Sequence, residues 1–388
     1  MTDFAFMGGE PAFPEGVPFV RPPVPDLDRV VSILKPSWDR GMLTNGPLVA
    51  ELEQRASELL EVAHVVAVSS CTTGLMLTFR ALGVTGDVLM PSFTFSASAH
   101  AVAWNGARPR FAECRPDTFQ LDLDDAQARI SGCEAILATH VFGAPCEPEA
   151  VAALARRQGI PLVFDAAHAL GARAAGVPVG GFGDAEVFSL TPTKPLVAGE
   201  GGLVATNRDD IAELVRLGRD YANPGDYDTR FVGLNGRMSE MHAAVALASL
   251  ECYGDNQARR SEVVERYRAA LAAVPGVRMQ TLGAGDDSTW KDLTIAVDPA
   301  VYGVDRDTLR RVLIGEGVDT RTYFDPPVHR QTAYRTSAPV SLPTTDAVAS
   351  AVLSLPAYPG LADTTVDVVA DIILKVHQSA NGAEGVKT

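Results

Sequence analysis

The feature that most constrains the fold is an alternation of short apolar runs with helical patterns along the chain. Such an alternation predicts a mainly parallel β-sheet covered by helices on both faces. Ligands of these sheets bind beyond the carboxyl ends of the strands, so the residues that follow each strand are candidates for a functional site. The runs that predict strands are Val65–Val68, Val88–Met90, Ala135–Ala138, Leu162–Phe164, Glu186–Leu190 and Leu203–Ala205.

The length of 388 residues exceeds what a single hydrophobic core usually serves, so we expect a large and a smaller domain. Residues 1–28 are rich in Pro, Gly and Phe and predict an N-terminal arm without a regular helix. Residues 29–250 are expected to form the large domain, and residues 251–388 a smaller α/β domain with a frayed end from Ala380. The smaller domain is predicted to contain strands at Leu293–Val297 and Thr320–Phe324 and helices at Asp305–Glu316 and Thr365–Val376. Helices are also predicted at Leu48–Glu61, Leu75–Leu82, Met238–Leu250 and Asn256–Ala273.

The charge balance excludes some classes of partner. The chain has 48 acidic and 33 basic side chains, a formal charge of −15, which argues against binding to nucleic acid or to an anionic membrane surface. The five cysteines contain no CxxC pair and predict neither a metal site nor a disulfide framework. A signal-peptide pattern and a run of about 18 apolar residues are both missing, so we expect a cytoplasmic protein.

Lys194 is the best candidate for an amine nucleophile. It follows the apolar run Glu186–Leu190 and precedes the glycine-rich segment Gly199-Glu200-Gly201-Gly202. A lysine desolvated at such a position can lose its proton and attack a carbonyl carbon. A comparable setting is not evident at the other four lysines, Lys35, Lys291, Lys375 and Lys387.

Two further strand ends carry polar residues that suit a charged ligand. The segment from Ser69 to Gly74 brings small residues to the start of a helix, where free N–H groups bind anions, although these residues could simply cap the helix. Asp165 and His168 follow another strand, and the carboxylate could cap a helix or pair with a cationic group. A phosphate cradle, a carboxylate and a lysine are the parts needed to hold the phosphate, ring nitrogen and aldehyde of pyridoxal 5′-phosphate.

In this order, the motifs resemble the DegT/DnrJ/EryC1/StrS family of pyridoxal-phosphate-dependent sugar aminotransferases. The resemblance runs from about Leu43 to Tyr358. It implies an α/β fold of the aspartate-aminotransferase type (pyridoxal-phosphate fold type I), with a mainly parallel central sheet in the large domain and a smaller C-terminal α/β domain. It also implies a homodimer whose active sites are built from both subunits. The segments that carry it are Thr44-Asn45-Gly46-Pro47, Ser69 to Leu75, Pro91 to Phe95, Asp165 to Ala169, Phe188 to Lys194, Gly199 to Gly202, Gly233 to Glu240 and Leu355-Pro356.

The resemblance implies roles for residues around the cofactor ring. Lys194 is expected to form the Schiff base and Asp165 to pair with the pyridine nitrogen. Phe95 is expected to stack on the ring, and His168 to neighbour the ring hydroxyl. Some members of the family have histidine in place of the lysine and catalyse dehydration, so Lys194 implies transamination.

The resemblance also implies contacts with phosphate groups and substrate. The cofactor phosphate is expected at Thr72, Thr73 and Ser189, with Asn235 reaching it from the partner subunit. Cys71 departs from the family pattern, which often has glycine at this position. Three residues are predicted to contribute to substrate binding, namely Arg237, Tyr323 and His329.

The function implied is transfer of an amino group from L-glutamate to a keto group of a nucleotide-linked sugar, with the cofactor alternating between its pyridoxal and pyridoxamine forms. A thymidine-diphosphate (TDP) 4-keto-6-deoxyhexose is the favoured acceptor. The product would be an amino sugar for antibiotic, other secondary-metabolite or surface-glycan biosynthesis. The alternatives are a 3-keto sugar, a cyclitol ketone such as an inosose, an elimination reaction, or a non-catalytic regulator that keeps the fold.

Overall fold

The computed structural model describes residues 4–5, 8–335 and 340–382. The helices are α1 Leu27–Asp39, α2 Pro47–Leu60, α3 Cys71–Ala81, α4 Ser96–Trp104, α5 Leu123–Arg129, α6 Pro148–Gln158, α7 Asp209–Gly218, α8 Glu240–Glu251, α9 Tyr253–Leu271, α10 Pro299–Tyr302, α11 Arg306–Gly315, α12 Pro343–Ala351 and α13 Asp363–Gly382. The strands are β1 His64–Val68, β2 Asp87–Pro91, β3 Arg108–Ala112, β4 Cys133–Thr139, β5 Leu162–Asp165, β6 Arg173–Ala174, β7 Val177–Pro178, β8 Ala185–Ser189, β9 Gly202–Thr206, β10 Val277–Met279, β11 Leu293–Val297 and β12 Val352–Leu355.

The central sheet has seven strands in the order β1-β9-β8-β5-β4-β2-β3. Strand β2 runs parallel to β3 and β4, β4 to β5, and β5 to β8, whereas β9 is antiparallel to both β1 and β8. The predicted mainly parallel sheet is confirmed, and each of the six predicted runs overlaps one of its strands. The sequence did not predict β3, which contains Pro109 and two arginines. Such a strand is tolerated because it lies at the edge of the sheet.

Two glycines allow the start of helix α3 to approach the sheet closely. A Cβ atom on Gly74 would lie 2.7 Å from Val187 Cγ1 and 3.0 Å from Val204 Cγ2. A Cβ atom on Gly202 would lie 2.5 Å from the backbone nitrogen of Cys71. Larger residues at these positions would push the N-terminus of α3 away from the ends of β8 and β9.

A second sheet, of the order β10-β11-β12, is antiparallel and packs with α9, α11 and α13. The strand predicted at Thr320–Phe324 is wrong. Only Arg321 in this segment pairs with a strand, through a single bridge to Ser354 on β12, and the chain then turns. Strand β12 itself was not predicted because it continues directly from α12 without a glycine or proline to mark the change.

The N-terminal arm packs against this second sheet and its helices. The backbone N–H of Val17 donates to the carbonyl of Gly317 at 2.7 Å, and Asp319 N–H donates to the Val17 carbonyl at 3.0 Å. Phe4 and Val17 are buried in one cluster with residues from Val263 to Val376. The domain boundaries near residues 28 and 250 stay a prediction.

The described C-terminal end is helical. Helix α13 continues to Gly382, so residues 380–382, predicted to be frayed, belong to it, and residues 383–388 of that prediction lie outside the described residues. Within the described ranges, no helix combines the length and apolar character that a membrane crossing requires. All five cysteines fall within these ranges and are free thiols.

Candidate active site

A cavity of about 370 Å³ opens at the carboxyl ends of the parallel strands, where the sheet topology predicts a ligand. Asp165 ends β5 and Ser189 ends β8, while Lys194 lies in the loop that follows β8. The structure thus brings together residues that are far apart in the sequence. The predicted site residues that line the cavity are Thr72, Phe95, Asp165, His168, Ser189, Lys194 and Tyr323.

The amine of Lys194 has the properties of a nucleophile. Burial in the cavity wall and, as a smaller cause, the nearby ammonium group of Lys291 lower its pKa to about 8. The backbone N–H of Lys194 donates to the Thr191 carbonyl at 3.0 Å, and the glycine-rich loop beyond it turns through a left-handed conformation at Gly199, with φ +83°. A substantial fraction of this amine is therefore unprotonated near neutral pH and able to attack a carbonyl.

The carboxylate of Asp165 is fixed by a chain of hydroxyl groups. Its Oδ2 accepts from Ser98 Oγ at 2.5 Å, and its Oδ1 accepts from the backbone N–H of Ala167 at 3.1 Å. Since Ser98 donates to Asp165, Thr94 must donate to Ser98 across 3.0 Å, and Thr139 to Thr94 across 3.2 Å. Every proton in this series of hydroxyl groups points toward the carboxylate and so fixes its orientation. Apart from the inclusion of Thr94 in a family motif, these hydrogen bonds were not predictable from the sequence.

The start of α3 forms the predicted anion cradle. Ser70 caps the helix, because its hydroxyl accepts from the Thr73 backbone N–H at 3.1 Å. Thr72 lines the cavity, whereas Thr73 does not. The hydroxyl group of Thr73 lies 2.9 Å from that of Ser70. Ser189 reaches the cavity from β8. A helix N-terminus with adjacent hydroxyl groups is well suited to a phosphate.

The imidazole of His168 faces the cavity without a partner. Burial, together with the charges of Lys194 and Lys291, lowers its pKa well below the ordinary value. Its Nδ1 atom is buried and makes no hydrogen bond to any residue that the structure describes. An amine, a carboxylate, an anion cradle and an unpaired ring nitrogen in one cavity fit the polar groups of pyridoxal 5′-phosphate.

Four predicted residues do not line the cavity, namely Thr73, Asn235, Arg237 and His329. Asn235 forms a backbone bridge with Asp220, and the guanidinium group of Arg237 contacts the Asp220 carboxylate and lies 5.4 Å from the ring centre of Tyr221.

The structure places His329 outside the cavity lining, and its role in substrate binding stays a prediction. Its ring is buried, with Nδ1 2.6 Å from Ser92 Oγ and Nε2 3.2 Å from Asp346 Oδ1. It connects the end of β2 to helix α12. Its position in sequence, close to Tyr323, did not reveal that the side chain points away from the cavity.

A second lysine lines the cavity, contrary to our expectation for Lys291. Lys291 and Asp292 immediately precede β11, and Lys291 Nζ lies 2.6 Å from Asp292 Oδ1. Both side chains are almost completely buried. The remaining lysines are less informative: Lys35 and Lys375 are exposed and each pairs with an aspartate four residues away, and Lys387 lies outside the described residues.

The fold and the lysine-carboxylate cavity define a pyridoxal-phosphate-dependent transaminase of the aspartate-aminotransferase type. Residues 28–374 match the model of the DegT/DnrJ/EryC1/StrS aminotransferase family, and the chain belongs to this family of sugar aminotransferases.

Solved structures of family members are similar over nearly the whole chain. The structure of DesI in the presence of its TDP-sugar product is 36% identical, with a TM-score of 0.93 and complete coverage of both chains. The structure of S. venezuelae DesV in complex with a ketimine intermediate is 32% identical, with a TM-score of 0.85 and coverage of 92% of this chain and 99% of that one. An aminotransferase of the family from Brucella abortus is 32% identical, with a TM-score of 0.84 and coverage of 90% and 95%.

Proposed function

We propose that the protein transfers the amino group of L-glutamate to the keto group of a TDP-linked 4-keto-6-deoxyhexose, which yields 2-oxoglutarate and a TDP-linked 4-amino sugar. The observation that carries this proposal is the Lys194 amine of lowered pKa in one cavity with the hydrogen-bonded Asp165 carboxylate. The choice of acceptor is supported by the similarity to DesI, whose structure was solved with a TDP-sugar product. The product would serve antibiotic, other secondary-metabolite or surface-glycan biosynthesis in the cytoplasm.

The residues of the cavity divide the chemistry between them. When bound, pyridoxal 5′-phosphate supplies an electron sink and carries the amino group between donor and acceptor. Lys194 would hold the aldehyde carbon, and its free amine would then remove and return the proton at the reacting carbon. Asp165 would keep a proton at the ring nitrogen. Thr72, Ser189 and the N-terminus of α3 would bind the phosphate.

Other residues would position the ring and the substrate. Phe95 is exposed at the cavity and free to stack on the ring, while the unpaired Nδ1 of His168 would meet the ring hydroxyl. Tyr323 reaches the same cavity and would contact the substrate. We propose that Asn235 and Arg237, which do not line the cavity of their own chain, serve the site of the partner subunit.

A homodimer is part of this proposal. Large apolar side chains are exposed along one stretch of the chain that includes α1, which is unusual for a free surface. A second copy of the chain would cover them. They are Val24, Leu27, Val31, Trp38, Met42 and Leu43.

The activity is tested with purified protein, L-glutamate and a TDP-linked 4-keto-6-deoxyglucose. We expect a TDP-linked amino sugar by mass spectrometry, an absorbance band of lysine-bound cofactor that borohydride removes, and loss of both in Lys194→Ala. The control Lys375→Ala, which removes an exposed lysine of α13, should behave as wild type. If the sugar gives no product while a 3-keto sugar or an inosose does, the acceptor assignment is wrong. Persistence of the band in Lys194→Ala would overturn the enzyme mechanism.

The shared site is tested by mixing two inactive subunits. In a heterodimer of Lys194→Ala and Asn235→Ala subunits, one site keeps both the lysine and the asparagine if Asn235 acts across the interface. We expect purified heterodimers to recover activity that neither parent homodimer has. Heterodimers as inactive as the Lys194→Ala homodimer would show that Asn235 acts in its own subunit, and full activity of the Asn235→Ala homodimer would show that Asn235 has no role.

A further inference from the structure

Asp292 is a buried carboxylate with one oxygen left without a partner. The residue is 2% exposed and lines the cavity, where its Oδ1 lies 2.6 Å from Lys291 Nζ. Its Oδ2 accepts no hydrogen bond from any part of the chain within 4–5, 8–335 and 340–382. A buried charged oxygen without a donor is costly, because it has lost its water without replacing it. The position therefore calls for a donor that arrives with a ligand.

The surrounding chain has donors, but they are used elsewhere. The Lys291 ammonium group lies against Oδ1, and Arg260 Nη1 donates to the carbonyl of Ala357 at 2.7 Å. Lys194 and Tyr323 are close enough for the charge of Asp292 to affect their pKa values, but neither forms a hydrogen bond with it. Lys194 is, moreover, committed to the cofactor in the proposed function.

The charge of Asp292 decides which ligand group it can meet. A diphosphate or a carboxylate would be repelled by the carboxylate, which excludes the nucleotide end of the acceptor and the acid groups of glutamate. A donor without negative charge is required. The amino groups of the donor and the product are committed to the reacting carbon in the proposed function, which leaves the hydroxyl groups on the ring of the acceptor sugar.

We propose that Asp292, oriented by Lys291, is the subsite that binds a ring hydroxyl of the acceptor sugar through its Oδ2 atom. This inference rests on the proposed function. Lys291 acts as a positioning residue, since it holds Oδ1 and leaves Oδ2 to the ligand. A TDP-linked 4-amino-4,6-dideoxyhexose, the product, has hydroxyl groups only at C2 and C3 of the ring, so one of these two is the partner.

Asp292→Asn tests the subsite and has a matched control at the other end of the same strand. Asp298 follows β11 directly and caps α10 through a bond from the Ala300 N–H at 3.0 Å, which asparagine can also accept. We expect Asp292→Asn to weaken binding of the TDP-linked 4-amino sugar, measured by calorimetry, by roughly ten- to hundredfold, as for loss of a hydrogen bond to a charged group. Asp298→Asn should bind as wild type.

Separate measurement of the half-reaction with glutamate and the half-reaction with sugar distinguishes sugar recognition by Asp292 from an effect of Asp292 on Lys194. Removal of the Asp292 charge also lowers the pKa of Lys194, so the glutamate half-reaction serves as the reference. We expect Asp292→Asn to change the rate at which L-glutamate removes the absorbance band of lysine-bound cofactor much less than it slows the half-reaction with sugar. A half-reaction with glutamate slowed as much as the half-reaction with sugar would show that Asp292 acts on Lys194, and would overturn the subsite. Unchanged binding of the amino sugar to Asp292→Asn would overturn it as well.

Wild-type protein with deoxygenated ligands tests the subsite even if the variant does not fold. We expect removal of one hydroxyl, at C2 or C3, to weaken binding to wild type, and Asp292→Asn to show no additional loss with that analogue. If neither deletion weakens binding to wild type, the subsite does not exist. Failure of the proposed function is recognised separately, because wild type would then make no amino sugar from glutamate and the keto sugar.

Discussion

Ser98 Oγ donates a hydrogen bond to Asp165 Oδ2 across 2.5 Å, so the first turn of α4 is tied to the carboxylate at the end of β5. Both side chains are buried, and the backbone N–H of Ala167 supplies a second bond to the same carboxylate. The position of the group that would face the cofactor ring nitrogen is thus fixed from two directions.

Ser98→Ala should therefore reduce transamination although Ser98 does not line the cavity. A hydrogen bond to a charged group contributes about 1.5–3 kcal/mol, so we expect kcat/KM to fall roughly ten- to hundredfold. Steady-state kinetics measure the loss, and a titration of the cofactor-free protein with pyridoxal 5′-phosphate measures the accompanying change in affinity. Ser350→Ala is the control, because the exposed Ser350 hydroxyl donates to the carbonyl of Ala347 in its own helix. Activity within twofold of wild type would show that Ala167 alone positions the carboxylate.

The lowered pKa of Lys194 predicts an unusual pH dependence of its chemical modification. In cofactor-free protein, we expect labelling of Lys194 by an amine-specific reagent to reach half its maximum near pH 8, the pKa of the amine. An ordinary exposed lysine has a pKa of 10.5. Mass spectrometry of the Lys194 peptide, with acetyl-lysine amide as an internal standard, measures both curves. Coincidence of the two curves would contradict the burial that lowers the pKa.

The same shift predicts how stability depends on pH. Between about pH 8 and 10.5, folded Lys194 has lost its proton while the unfolded chain still binds one. The unfolded state then holds more protons, so the free energy of unfolding contributed by this group rises with pH across that window. Urea unfolding at several pH values measures this effect. Across that window, the free energy of unfolding of cofactor-free wild type should rise with pH relative to that of Lys194→Met.

Residues at strand ends were predictable from sequence, whereas those brought in by the second sheet were not. Asp165 and Lys194 each follow a short apolar run, and Ser189 lies near the end of one. The topology of a parallel sheet brings such residues to the same edge. Lys291 and Asp292 enter the cavity only because the segment before β11 folds over it, and nothing in their local sequence encodes that placement.

The directions of side chains in irregular segments were also not predictable from the sequence. Tyr323 and His329 lie six residues apart, yet one lines the cavity and the other bonds to Ser92 behind it. Outside a regular strand or helix, sequence spacing does not determine which way a side chain points. Tertiary packing determines the direction of both side chains.

Replacement of Lys291 should raise the pH at which Lys194 reacts. The Lys291 ammonium group lowers the pKa of Lys194, and Asp292 raises it, so Lys291→Met removes the repulsion and leaves the attraction. We expect the labelling midpoint to move upward but to stay below 10.5, because burial, the larger cause, is unchanged. Lys291→Arg, which keeps the charge, should leave the midpoint near that of wild type. A downward movement in Lys291→Met would contradict the electrostatic coupling.

The carboxylate of Glu240 is a structural counterpart to these cavity residues. It is completely buried at the first turn of α8 and accepts hydrogen bonds from Ser37 Oγ and from the backbone N–H groups of Gly46, Leu48 and Val49, at 2.7–3.0 Å. The charge thus faces the N-terminus of α2, where the helix dipole favours an anion. Glu240 ends the family motif that contains Asn235, and its bonds fix one side of that segment.

Glu240→Gln should accordingly lower the free energy of unfolding while Glu251→Gln, at the other end of α8, should not. Glutamine has one acceptor oxygen in place of two and no charge, and its amide would face N–H donors, so we expect a loss of about 2–4 kcal/mol. Glu251 forms an exposed ion pair with Arg29, and such pairs contribute little to stability because water and salt screen them. Urea unfolding monitored by circular dichroism measures both variants. Equal losses in the two variants would mean that the bonds to α2 contribute no more than a surface ion pair, and that apolar packing between α2 and α8 holds the segment in place.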